Sequence, residues 1–357
     1  MADNASSSCN SSPQSARMHY VDIAKGIGIL AVIVGHIAIR LMPHSHLSEY
    51  TFIVIFSFHM PLFFILAGYV TQRNRAFRFA KEARRLLLPF LVCALVCIAL
   101  LVVWVLFETK SLDSGRAVGL SWLNASFYGA GGIFSNPLWP QDARIGAIWF
   151  LLALFWAKLI MSFATRMRSG WIVTLACFAA GVISMNYVWL PWSVQAGLCA
   201  TPFMWIGMRL RELRFFEKRL PVVLWIGLIV VWVAAIYLKN PVAMAGSFFG
   251  EWPYLAPVKI AGSIAGTLCV VKLSQCIEHH ISLLARLFDV LGQASLGILC
   301  VHLVSDNVID WSRMGDYALF ELGIMMPLIL LVFSLVRTCC ESAVGLIVHK
   351  LWSKLVR

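Results

Sequence analysis

Charge is what this sequence has least of. Only 13% of its 357 residues are Asp, Glu, Lys or Arg, while 60% are hydrophobic; a soluble globular chain carries about 25% charged residues. A larger soluble core does not absorb that deficit, because a water-facing surface needs charge. The apolar excess must therefore face lipid. Acidic residues are the scarcer sign, 17 against 29 Lys and Arg, for a net charge of +12. In a soluble domain that balance points to nucleic acid. Here the basic residues fall in short tracts between apolar runs, where they set orientation in a membrane, and no nucleic-acid partner is expected.

Other signals are missing too. The ten cysteines form no CxxC spacing, so neither a zinc site nor a disulfide framework is indicated. The histidines at 44, 46, 279 and 280 have no carboxylate or cysteine ligands at a matching metal-site spacing, and no metal is expected. There is no GxSxG, P-loop or dinucleotide-binding fingerprint in a credible context. No internal repeat of the kind that marks a transporter's duplicated halves is visible. Residues 1–16, with SSSCNSSPQS, are polar and expected to be disordered. The first apolar run follows this tail without a small-residue cleavage site, so no cleavable signal peptide is expected.

What is present is a series of apolar runs at 21–40, 50–71, 86–107, 145–163, 171–187, 192–210, 220–238, 256–276, 290–309 and 318–338. At roughly 20 residues per crossing, they predict an all-α polytopic membrane bundle of about ten helices over residues 17–357, as a single domain. Basic residues cluster after the second run (Arg73, Arg75, Arg78, Lys81, Arg84, Arg85), after the sixth (Arg209, Arg211, Arg214, Lys218, Arg219) and at the end (Arg337, Lys350, Lys354, Arg357). By the positive-inside rule both termini are expected to be cytoplasmic. The 108–144 segment, with GAGGIFSNPLWPQ, reads as the largest outer connection: a lid or acceptor-recognition loop, or a plain connection.

Ionisable residues inside spans are costly and mark function by default. Asp22, Lys25 and His36 lie on the first run. Eleven residues separate Lys25 from His36, which puts both on one helix face about 16 Å apart along the axis. Asp22 is three residues from Lys25 and can pair with it. Gly26, Gly28 and Gly35 allow close approach of neighbouring backbones. Acyl transfer to a hydroxyl needs a base near neutral pKa, or a nucleophile that carries the acyl group; histidine serves as either. The competing reading is structural, with the charge pair at the interface and His36 hydrogen-bonded in the bundle.

Three further places carry the same double reading. His59 precedes Pro61, which can kink its helix and free carbonyls; it lines a cavity or packs. Arg84 and Arg85 open the third run, where a helix N-terminus with arginines suits phosphate, or they anchor that end at the interface. His302 and Asp306 share a face at i, i+4, so the carboxylate can orient the imidazole, or the two make a plain interhelical contact.

These residues, taken in order, resemble the integral-membrane acyltransferase-3 family. A basic residue, ten intervening residues and then histidine (Lys25 to His36), FHMPLFFILAG from Phe58, RRLLLPF from Arg84, IWFLLALF from Ile148 and SLGILCVHL from Ser295 match its pattern. The resemblance implies an acyl-CoA donor, usually acetyl-CoA, bound from the cytoplasm, and an acceptor hydroxyl on a polysaccharide or lipid-linked sugar. It implies a catalytic group of His36, Lys25 and Asp22, the last two also shaping the entry, and that Arg84, Arg85 and Arg78 bind the donor. His59, Trp149 and His302 would line the substrate cavity. Lys25 stands where arginine is more common, which keeps the charge and loses the planar fork. Some members carry an extracytoplasmic hydrolase-like domain; the chain ends at Arg357 with no room for one. Direct transfer, or reliance on a separate polysaccharide-synthesis partner, is therefore expected, in the inner membrane and with a homo-oligomer open. The rivals are a secondary transporter of a sugar or polar metabolite and a non-catalytic assembly subunit.

Overall fold

A computed structural model describes residues 17–41, 46–74, 76–129, 131–132, 136–238, 255–309 and 326–355. Among them the chain is helical, and the single β feature is an isolated bridge between Pro137 and Trp189. The expected polar tail at 1–16 and the first part of the 318–338 run lie outside the described residues.

The helices follow the apolar runs. They are α1 His19–Leu41, α2 His46–Phe56, α3 His59–Tyr69, α4 Phe79–Glu82, α5 Leu88–Thr109, α6 Leu112–Tyr128 and α7 Trp149–Ala164. Then come α8 Gly170–Met185, α9 Val194–Glu212, α10 Val222–Tyr237, α11 Ala256–His280, α12 Ser282–Gln293, α13 Ser295–Val308 and α14 Met326–Leu355. Five stretches are long and apolar enough to cross a membrane: His19–Arg40, Ser48–Tyr69, Phe79–Thr109, Gly146–Ala164 and Ala256–His280. The pair α12 and α13, bent by 70°, makes a sixth if taken as one span. The ten apolar runs thus yield fewer full-length spans among the described residues. α8 and α10 are apolar but only 16 residues long, about 24 Å at the rise of an α-helix and short of a 30 Å hydrocarbon core.

Three local features differ from the sequence reading. About half of the 108–144 segment is helical: α6 begins at Leu112, after Ser111, whose hydroxyl accepts from Ser114 N as a cap, and folds back along α5. The second run is broken at Ser57–Phe58, three to four residues before Pro61, whose ring nitrogen cannot donate to the preceding turn. The last helix runs on to Leu355, well past the expected end at 338.

Close backbone contact places α1. A Cβ on Gly26 would lie 2.2 Å from Phe288 O, and one on Gly292 would lie 1.7 Å from Asp22 O. Only hydrogen fits at either position, so α1 and α12 pack with their backbones touching. This contact fixes the helix that carries Asp22, Lys25 and His36.

Candidate active site

A cavity of about 1460 Å³ runs along α1. That exceeds the roughly 300–1,000 Å³ of pockets for drug-sized ligands. The α1 residues in its wall are Asp22, Lys25, Ile29, Val32 and His36. Their spacing of three, four, three and four is one stripe of an α-helix. The sequence expectation that Lys25 and His36 share a face is met, and both face the same space.

At the N-terminal end of α1 the cavity is cationic. Arg17, Lys25, Arg78, Lys81, Arg84, Arg85 and Lys158 line it, seven cations against the two carboxylates of Asp22 and Glu82. Asp22 is already held: Arg17 donates to its Oδ2 from Nε at 2.9 Å and Nη2 at 2.8 Å, and Lys25 Nζ donates to Oδ1 at 3.0 Å. Glu82 accepts from Lys158 at 2.7 Å. The surplus positive charge is left to face a ligand, and it suits an anionic one. Arg84 and Arg85 do not stand at a helix N-terminus as the sequence suggested. They lie in a π-helical turn, Ala83–Leu87, inside a helix that begins at Phe79. Their contribution is therefore guanidinium charge. The wide turn directs both side chains outward, where they are exposed.

The other end is built from histidines. His36 Nδ1 lies 2.9 Å from His302 Nε2, with the two rings parallel to within 9°. His302 Nδ1 lies 2.8 Å from Glu341 Oε2, and Arg337 Nε donates to Glu341 Oε1 at 2.8 Å. His302 is 0% exposed, Glu341 5% and Arg337 4%. This order of partners assigns the protons. A carboxylate only accepts, so His302 carries its proton on Nδ1 and presents a lone pair at Nε2. His36 must then donate from Nδ1. Its Nε2 is left with a free lone pair, on a residue in the cavity wall.

The remaining expected site residues fall as follows. His59 and Trp149 line the cavity. His59 donates from Nδ1 to Ile55 O at 2.9 Å, a carbonyl at the break between α2 and α3. Phe56 packs edge-on against the His59 ring and also meets His36, at centroid distances of 4.5 and 5.9 Å. Arg78 stands at the mouth. His302 sits behind His36, outside the wall, with both nitrogens engaged. Its orienting carboxylate is Glu341; the expected partner, Asp306, instead accepts from Arg40 at 3.2 Å and faces Arg337 at 3.6 Å. Arg337, expected among the cytoplasmic basic residues, is buried beside His302.

Glu341 and Arg337 are the residues that sequence reading missed. The signal was there: Arg337 and Glu341 are at i, i+4, with Val344, Leu346 and Ile347 continuing the apolar pattern beyond them. A helix that does not stop at 338 carries that pair into the bundle.

The model of the acyltransferase domain family matches residues 18–340. This chain belongs to the integral-membrane acyltransferase-3 family. The chain is thus a multi-pass membrane protein of an acyltransferase family. It is also similar to the nodulation protein NolL of Sinorhizobium fredii, 29% identical over 176 residues, or 46% of this chain and 41% of that one. The match therefore spans less than half the length of that relative. No solved structure matches the chain.

Proposed function

We propose that this acyltransferase moves an acetyl group from acetyl-CoA to a hydroxyl of a cell-surface or exported polysaccharide, or of a lipid-linked sugar. One observation carries the reading: a single cavity joins a cationic mouth to the free Nε2 of His36. The donor's phosphates sit against Arg84, Arg85 and Arg78, and its pantetheine arm follows the α1 stripe. The span from Lys25 to His36, about 16 Å by helix rise, is within reach of an extended arm.

At the far end, His36 Nε2 takes the proton of the acceptor hydroxyl as its oxygen attacks the thioester carbonyl. The carbon–sulfur bond breaks, and the leaving thiolate recovers the proton from the imidazolium. The positive charge that His36 gains is balanced through His302 by the Glu341 carboxylate. The same lone pair supports a two-step route, in which Nε2 attacks the thioester and carries the acetyl group to the acceptor. Rapid acid quench with labelled donor separates the two, because only the second leaves label on the protein.

The orientation proposed is mouth inward, in the cytoplasmic membrane. His349, Trp352 and Ser353 near the end of α14 line the same mouth as Arg17 and Asp22 near the start of α1. The first and last described stretches therefore meet at one side of the cavity, and the surrounding cations support the cytoplasmic side for it. The deciding assay uses purified protein, radiolabelled acetyl-CoA and candidate glycans, comparing wild type with His36→Ala at matched expression. Loss of transfer with donor binding retained is expected. Equal transfer by both proteins removes His36 from the chemistry.

A further inference from the structure

Beyond His36, away from the donor mouth, lies a second group of charges. Arg40 follows His36 by about one helical turn on α1, roughly 6 Å along the axis. Its Nη2 lies 3.2 Å from Asp306 Oδ2, and Asp306 Oδ1 faces Arg337 at 3.6 Å. A third guanidinium joins them from the connection before α7. Asn307, next to Asp306, donates from Nδ2 to Ile145 O at 3.3 Å, and Gly146 also abuts the Asn307 side chain, which pins that connection against α13 at the residues directly after Arg144. Partial desolvation beside the Arg40 guanidinium pushes the Arg144 pKa below the ordinary arginine value, although the residue as a whole stays exposed, and Asp306 pulls it back.

The charges do not cancel. Among the described residues, three guanidiniums, Arg40, Arg144 and Arg337, meet two carboxylates, Asp306 and Glu341, which leaves one positive charge in excess with the histidines neutral. The surplus lies outward. The Asp306 side chain is 10% exposed and that of Arg337 3%, but that of Arg40 is 34% exposed, and Arg144 is an exposed residue. Among the described residues, Arg144 has no hydrogen bond or ion pair of its own. Two like charges are thus held close, over a carboxylate already shared between partners. An anion placed between them relieves their repulsion and completes their hydrogen bonding.

We infer that Arg40 and Arg144 form a cradle for an acidic acceptor, a sugar bearing a carboxylate or phosphate whose hydroxyl reaches His36 about one helical turn away. The inference rests on the acyl-transfer reading and names its acceptor class. Neither arginine lines the donor cavity, so donor and acceptor anions are held at opposite sides of His36.

The test is equilibrium binding to the full chain in phosphatidylcholine nanodiscs, with a galacturonate trimer, galactose 1-phosphate and a neutral galactose trimer as probes. At least one acidic sugar is expected to bind about tenfold more tightly than the neutral one, a difference of one charge-assisted contact. Arg144→Gln should erase the preference and leave neutral-sugar binding unchanged, while Arg144→Lys keeps part of it. Equal binding of all three probes by the wild type overturns the cradle, as does a preference that survives Arg144→Gln. Repeating the measurement with phosphatidylglycerol in the disc distinguishes the two sources of anion. A preference that persists supports the acceptor, and one that vanishes assigns the cradle to lipid headgroups and overturns the proposal. Failure of the transfer reading has a separate signature: His36→Ala that still transfers acetyl refutes the chemistry and leaves the binding preference standing.

Discussion

Glu341 Oε2 stands 2.8 Å from His302 Nδ1, across 39 residues of chain. This contact decides which nitrogen of His36 is basic. Glu341→Gln should reverse it. Arg337 Nε donates to the Oε1 position and would claim the amide oxygen, turning the amide nitrogen toward His302. Forced to accept at Nδ1, His302 would carry its proton on Nε2 and donate to His36 Nδ1, and the His36 proton would move to the nitrogen facing the cavity. The expected result is a fall in kcat of about 10²–10⁴-fold, the size of a lost general base, with the KM for donor unchanged. Steady-state kinetics at matched thermal stability would check it. A variant with full turnover would show that Glu341 does not set the tautomer.

Much of the helical frame was legible in the sequence, because hydrophobic length and basic flanks are local properties. The stripe of Asp22, Lys25 and His36 was legible for the same reason: it lies on one helix, and 3.6-residue periodicity places it. The His302–Glu341 contact was not. It joins α13 to α14, and periodicity says nothing about which face meets which. Asp306 was the natural choice for His302 because it is four residues away; the fold gives it to Arg40 instead. The helix of α6 was hidden by its polar composition, which reads as a connection unless packing against α5 is known.

The donor mouth makes a separable prediction. Arg84 and Arg85 are exposed on a π-helical turn in the wall of the mouth. Replacing both with glutamine should raise the KM for acetyl-CoA at least about tenfold, since each charge-assisted hydrogen bond contributes roughly 1.5–3 kcal/mol. At saturating donor kcat should stay near wild type, because neither residue is near His36. Calorimetric titration of acetyl-CoA, and of CoA lacking its 3′-phosphate, would show whether the loss tracks phosphate. Unchanged affinity would leave the pair as membrane anchors.

Arg337 should matter for stability more than for substrate. It is buried between Glu341 and Asp306, at 2.8 and 3.6 Å. Arg337→Met would keep volume and leave two carboxylates facing one another without a partner between them. Breaking a buried ion pair from one side costs about 3–5 kcal/mol. A clear drop in the detergent melting temperature is expected, and Arg337→Lys should recover part of it. A variant that melts with wild type would mean that the carboxylates are neutralised from elsewhere.

The contact between α1 and α12 offers the sharpest packing test, because the chain supplies its own control. A methyl at Gly292 would sit 1.7 Å from Asp22 O, against backbone that cannot rotate away. Gly292→Ala must therefore push the two helices apart, at a cost of about 1–3 kcal/mol for overpacking. Asp22 would move with α1, loosening its hold on Arg17 and Lys25, so weaker acetyl-CoA binding should accompany the lower melting temperature. On α10, Gly227 has nothing within 4 Å of the same methyl. Gly227→Ala should be neutral or slightly stabilising, since alanine has the higher helix propensity. Equal effects from the two substitutions would contradict the backbone contact, and with it the placement of the cationic mouth beside α12.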